Sequence, residues 1–127
     1  MFESLIALWD SSGISNPARA DDIETIRKTL ENGGLLILAI EDDELVGSVW
    51  LTHDHRRVYL HHMAVFPSRQ NQKIGHYLME HSISYAKKLG LQVKLEVNLD
   101  NFAAVHLYEK FGFLQLSNYG TMIKREF

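Results

Sequence analysis

At 127 residues the chain has the length of one domain, roughly 100 to 200 residues each, so a single domain over residues 1–127 is expected rather than a two-domain enzyme. Its 46% hydrophobic and 23% charged residues are those of a soluble globular domain, and thirteen Lys and Arg against sixteen Asp and Glu leave no basic field for nucleic acid or an anionic membrane. The absence of cysteine excludes disulfides, thiolate metal sites and a covalent Cys intermediate, and no run approaches the roughly 18 apolar residues of a membrane span, so a cytoplasmic location is expected.

Phe2, Leu5, Ile6 and Trp9 recur at helical spacing and predict an amphipathic helix ending near Ser11 to Gly13. A linker around Asn16 and Pro17 leads to Asp21-Asp22-Ile23-Glu24, a capping pattern for a second helix with Ile23, Ile26 and Leu30 on its buried face. Gly33-Gly34 ends it. Leu35 to Ile40, the turn Glu41-Asp42-Asp43-Glu44 and Leu45 to Leu51 predict a β-hairpin, and Val58 to Val65 a third strand antiparallel to the second. After Pro67 the period changes: Ile74, Tyr77, Leu78, His81, Tyr85 and Leu89 predict one face of a helix closed by Gly90. Leu91 to Val97 then reads as a strand parallel to the third. Asn101 to Phe111 predicts a last helix, and Phe113 to Leu116 with Thr121 to Glu126 a closing hairpin. Together these make a mixed, mostly antiparallel α/β sheet with one parallel pair in the middle and helices against it.

Ligands of such sheets collect at the carboxyl ends of parallel strands, here residues 65–75. The loop from Phe66 through Ser68, Arg69, Gln70, Asn71, Gln72 and Lys73 to Gly75 opens a helix whose free N–H groups favour an anion, with Arg69 and Lys73 adding charge. An ordinary polar connection would look the same. Asn101, Ala104 and Tyr108 stand at i, i+3, i+7 and would line one wall of a site. Alternatively, Tyr108 packs with Phe111 and Phe113 while Asn101 caps its helix. Seven histidines, with His53 and His55 two apart, raise a metal site, but no carboxylate spacing supports one and none is expected.

Three segments carry a more specific signal: Leu60-His61-His62-Met63-Ala64-Val65-Phe66-Pro67, then Gln70-Asn71-Gln72-Lys73-Ile74-Gly75, then Asn101-Phe102-Ala103-Ala104-Val105-His106-Leu107-Tyr108-Glu109-Lys110-Phe111-Gly112-Phe113. In this order and spacing the chain resembles the GNAT superfamily of acetyl-CoA-dependent N-acetyltransferases over most of its length. The resemblance implies helices on both faces of the sheet and the lack of the family's usual first strand. It departs from the family's phosphate loop, Q/R-x-x-G-x-G/A, by placing Lys73 where the first glycine is expected and Asn71 where another often stands. A lysine held in the left-handed region there costs about 1 kcal/mol. The opposite reading has Lys73 helical, its ammonium reaching a phosphate.

The resemblance implies an acetyl group moved from acetyl-CoA to a primary amine by direct attack in a ternary complex. Met63, Ala64 and Val65 would pair with the pantetheine arm and supply an N–H to the developing oxyanion. Gln70, Asn71, Gln72, Lys73, Ile74, Gly75 and His76 would hold the pyrophosphate, with Asn101, Ala104 and Tyr108 completing the cofactor wall. Tyr108 would protonate the leaving thiolate, and His61 would take a proton from the amine. Strand alternation places His61 and His62 on opposite faces without saying which one looks into the cleft. The acceptor is open: a small amine, an amino acid, a peptide terminus or a protein lysine. A non-catalytic acyl-CoA-binding module is the competing reading, motivated by Lys73 and Asn71. The hairpin at Leu35 to Leu51 would present a sheet edge to a second copy, so a homodimer is expected.

Overall fold

The computed structural model describes residues 2–11, 23–70 and 73–127 of the chain, which forms two compact units, Met1–Glu96 and Val97–Phe127. The first unit opens with helix α1, Phe2–Ser11, closed by the Ser11 hydroxyl donating to the Leu8 carbonyl at 2.8 Å. Leu5 and Trp9 are buried and Ile6 half-buried, as its periodicity predicts, and Leu8 is buried beside them. The linker at Asn16-Pro17 and the cap at Asp21-Asp22 lie outside the described residues. Helix α2, Ile23–Glu31, buries Ile26 alone of its expected face; Ile23 and Leu30 are 47% and 41% exposed. A nine-residue helix laid on strand β1, Leu35–Glu41, seats one turn and leaves the flanking turns open.

Strand β2, Glu44–His53, returns antiparallel to β1 through Asp42 and Asp43, both at positive φ (52° and 63°). Such a turn matches the right-handed twist of the strands, and Asp tolerates it better than most residues with a side chain. Strand β3, Arg57–Val65, follows a reversal held by Asp54, whose Oδ1 accepts from the N–H groups of Arg56 and Arg57 at 2.9 and 2.8 Å. Helix α3, Ile74–Leu89, then crosses to β4, Gln92–Leu95, parallel to β3. The sheet order is β1-β2-β3-β4, so the parallel pair closes one side of it. Among the described residues no helix is long and apolar enough to cross a membrane.

Neighbouring residues of β2 show how the two faces are covered. The Trp9 indole of α1 donates to the buried Ser48 hydroxyl at 3.1 Å and stacks on Trp50 at 5.8 Å between centroids. Gly47 turns the other way, toward α3: a Cβ there would lie 3.0 Å from Ile74 Cγ2 and 3.2 Å from Leu78 Cδ1. This close approach decides which stripe of α3 is buried. Ile74 and Leu78 are buried as expected, but Met79, Ser82 and Ala86 join them in place of the Tyr77, His81 and Leu89 that the periodicity suggests. Tyr77 and Leu89 are exposed, and His81 faces solvent; small side chains let the helix descend onto the sheet where rings would hold it off.

The second unit contains helix α4, Phe102–Lys110. Asn101 caps it, its side chain accepting from the Ala104 N–H at 3.2 Å, and Gly112 at φ 88° lets Phe113 turn back to donate to the Tyr108 carbonyl at 3.1 Å. The expected hairpin over Phe113 to Leu116 and Thr121 to Glu126 is not formed. A turn joins Leu116 and Tyr119, and Leu114, Met122 and Phe127 are 86%, 95% and fully exposed. Two short strands gain too little from pairing alone to offset their ordering entropy without a buried face.

Candidate active site

Strand β3 changes character at His61. Trp50 pairs with His62 and Leu51 with Leu60, leaving His61 as the extra residue of a β-bulge. The bulge overturns the expected alternation: both imidazoles lie against the Trp50 ring, at 5.8 Å for His61 and 5.7 Å for His62. They differ in depth. His62 is buried at 7% exposure and packs on Trp9 at 5.0 Å. His61 is exposed, with Nε2 at 2.5 Å from the Thr52 hydroxyl and its ring stacked on Tyr59 (6.3 Å, 28°). Of the two, His61 is therefore the imidazole that a substrate in solution can reach.

The same stretch marks where the sheet divides. Pairing of β3 with β2 runs to Val65, but the parallel ladder with β4 ends at Leu60 and Leu95, short of the Val97 expected for β4. The β4-side edge of residues 61–65 thus has no ladder partner among the described residues, and Met63, Ala64 and Val65 stand on it. A cleft of about 220 Å³ opens at the division, lined by Tyr59, Leu60, His61, Lys94, Leu95 and Glu96.

Beyond Val65, one 3₁₀ turn, Pro67–Arg69, leads to Gln70, whose side-chain amide lies 3.4 Å from the Val65 carbonyl. Asn71 and Gln72 lie outside the described residues. Lys73 is left-handed, φ 65° and ψ 12°, so the helical alternative for this residue is set aside. The Tyr77 N–H returns to Lys73 O (3.1 Å), and Ile74, Gly75 and His76 form the first turn of the helix. The His76 ring meets Glu80 at 2.9 Å. Arg69 does not add free positive charge as expected: its guanidinium pairs with Glu41 and Glu44 of the β1–β2 turn.

In the second unit, Asn101 spends its side-chain oxygen on the cap of α4, and Ala104 is half-buried. Tyr108 is 9% exposed against Phe113, with 5.8 Å between ring centroids. Burial raises the pKa of its phenol above the ordinary 10. His53 and His55 meet edge-on, with the His55 N–H donating to His53 Nδ1 at 3.2 Å. The two charged residues of the cleft, Lys94 and Glu96, and Thr52 beside His61 went unnoticed in the sequence. Their signal lies in cross-strand register, Thr52 opposite Tyr59 and Tyr59 opposite Lys94, which becomes readable only once the bulge is placed.

The profile of the Acetyltransferase (GNAT) family matches residues 2–113. A peptidyl-lysine N-acetyltransferase, YjaB, of Salmonella typhimurium is 32% identical over 117 residues, covering 87% of this chain and 75% of the relative. Among solved structures, a probable acetyltransferase of meticillin-resistant Staphylococcus aureus superposes with a TM-score of 0.80 at 27% identity, over 98% of this chain and 92% of that one. A GNAT family acetyltransferase of Elizabethkingia anophelis, solved with acetyl-CoA bound, superposes with a TM-score of 0.63 at 26% identity, over 81% and 65% of the two chains.

Proposed function

The chain belongs to the GNAT acetyltransferase family, whose members transfer acyl groups from acetyl-CoA, and on that premise we propose that it acetylates a primary amine by direct attack in a ternary complex. The observation that carries this reading is the divided sheet. A strand edge freed at residues 61–65 fits an amide-bearing arm that adds as a strand would, and the open N-terminus of α3 beyond it suits an anion. We take residues 1–127 as one acetyltransferase domain, because the family match covers the first unit and continues into the second as far as residue 113.

Met63, Ala64 and Val65 then hold the arm of acetyl-CoA, with a backbone N–H among them donating to the carbonyl oxygen as it gains charge. Gln70 through His76 hold the pyrophosphate, Arg69 being engaged elsewhere, and the family resemblance gives Asn101, Ala104 and Tyr108 the remaining cofactor contacts. His61 takes a proton from the incoming amine, the new C–N bond forms as the C–S bond breaks, and the Tyr108 phenol returns a proton to the leaving thiolate. The Tyr108 phenol is protonated throughout the neutral range, and burial, which raises its pKa, keeps it so. With no cysteine in the chain, direct attack needs no covalent enzyme intermediate.

Release of free thiol from acetyl-CoA over a broad amine panel tests the reading, and Tyr108→Phe should lower turnover at least severalfold while the fold persists. The binding-module alternative draws on Lys73 in its left-handed conformation. Acetyl-CoA binding by calorimetry with no thiol release from any amine would establish it instead.

A further inference from the structure

The cleft beside His61 carries two opposite charges that no ion pair uses: neither Lys94 nor Glu96 has one among the described residues. Their placement follows from the ladder. Lys94 stands opposite Tyr59, which stands opposite Thr52, so the three share one face of the sheet. His61 joins that face through its hydrogen bond to Thr52 and its stacking on Tyr59. Glu96, two residues beyond Lys94 and lining the same cleft, lies about 6–7 Å farther along at the usual strand rise. One imidazole, one ammonium and one carboxylate thus meet in a single small opening where the sheet divides.

Resting on the acetyltransferase reading, we propose that this cleft is the acceptor subsite and that it takes a free amino acid, a small molecule bearing a primary amine and a carboxylate. Such an acceptor arrives as a zwitterion. Glu96 receives the ammonium, which gives one proton to solvent to become the attacking amine and a second to His61 as the C–N bond forms, while Lys94 receives the carboxylate by a charge-assisted hydrogen bond. A plain alkylamine or the side chain of a peptide lysine offers Lys94 nothing and brings a like charge toward it, an arrangement that disfavours the wrong partner. Size agrees: a volume of about 220 Å³ falls below the roughly 300–1,000 Å³ of sites for drug-sized ligands.

The test uses the full chain with acetyl-CoA and reads thiol release for amino acids, for their primary amides, for alkylamines and for a lysine-containing peptide. Wild type should favour each amino acid over its amide at least tenfold in kcat/KM, and Lys94→Met and Lys94→Gln should both bring that ratio close to one. Amides as good as the acids, a preference for the lysine peptide, or a ratio that survives both Lys94 variants would overturn the proposal and leave the transferase reading standing. Thiol release from no amine in the panel would overturn both.

Discussion

Replacing Lys73 by glycine isolates the strain at the entrance to α3. Among the described residues Lys73 is one of four non-glycine residues at positive φ, and it stands where the family pattern places a glycine. A residue with a Cβ held in that region carries about 1–2 kcal/mol of strain. Glycine removes it but adds about 0.5–1 kcal/mol of unfolded-state entropy, so Lys73→Gly should stabilise the protein by about 0.5–1 kcal/mol net. For a chain of this size that corresponds to about 2–5 °C in Tm. Urea unfolding followed by tryptophan fluorescence reads it directly, because Trp9 and Trp50 are both buried. Lys73→Ala keeps the Cβ and the strain, and should stay within about 0.5 kcal/mol of wild type. Equal unfolding midpoints for the glycine and alanine variants would refute the strain. Because the resting chain already carries the strain, it bears on folding rather than on affinity. Calorimetry with acetyl-CoA then reports the charge alone: weaker binding in both variants means the ammonium reaches an anion.

Gly47→Ala should cost about 1–3 kcal/mol in the same urea assay, since the added methyl meets Ile74, Leu78 and the Ala64 carbonyl at 3.0–3.2 Å; an unchanged midpoint would show that α3 can retreat freely. Thr52→Val should lower kcat about threefold to tenfold, the worth of one hydrogen bond on His61, with Thr52→Ser restoring it and the KM for acetyl-CoA unmoved. Tyr108 has a folded pKa above its unfolded value of about 10, so the unfolded chain ionises first and stability falls as pH rises past 10. Below that pH its contribution is fully present, and Tyr108→Phe should flatten the alkaline fall in urea midpoint. Strand β1 ends the sheet order with no ladder partner on its outer side among the described residues; pairing there with a second copy should give a dimer in sedimentation equilibrium at micromolar protein, and a monomer would refute it.

Features with short-range causes were legible in the sequence. The helical spacing of Leu5 and Trp9, the Asp42-Asp43 turn, the strand-helix-strand run from Val58 onward and the Asn101 cap each depend on residues within a few positions of one another. Of the proposed residues, motif and spacing pointed to the Met63–Val65 edge that the structure leaves without a ladder partner, and to His61 as one of two histidines. What stayed hidden was set between elements. The bulge at His61 exists because β3 carries one residue more than β2 at that point of the ladder, and no count along β3 alone reveals the mismatch. Arg69 looked like a free cation until the β1–β2 turn brought Glu41 and Glu44 against it.

The buried stripe of α3 shows the division most plainly. Its sequence specifies a helix with two overlapping apolar stripes, and either satisfies a period of 3.6. Only the sheet beneath chooses between them, because Gly47 leaves room for Ile74 and Leu78 at a distance that the rings of Tyr77 and Tyr85 would not permit. Sequence by itself determined which segments become helix and strand and which motifs they carry, since backbone hydrogen bonding and turn chemistry are local. Tertiary structure decided which faces meet, which of two histidines is open and where two strands part, since close packing is a property of surfaces in contact.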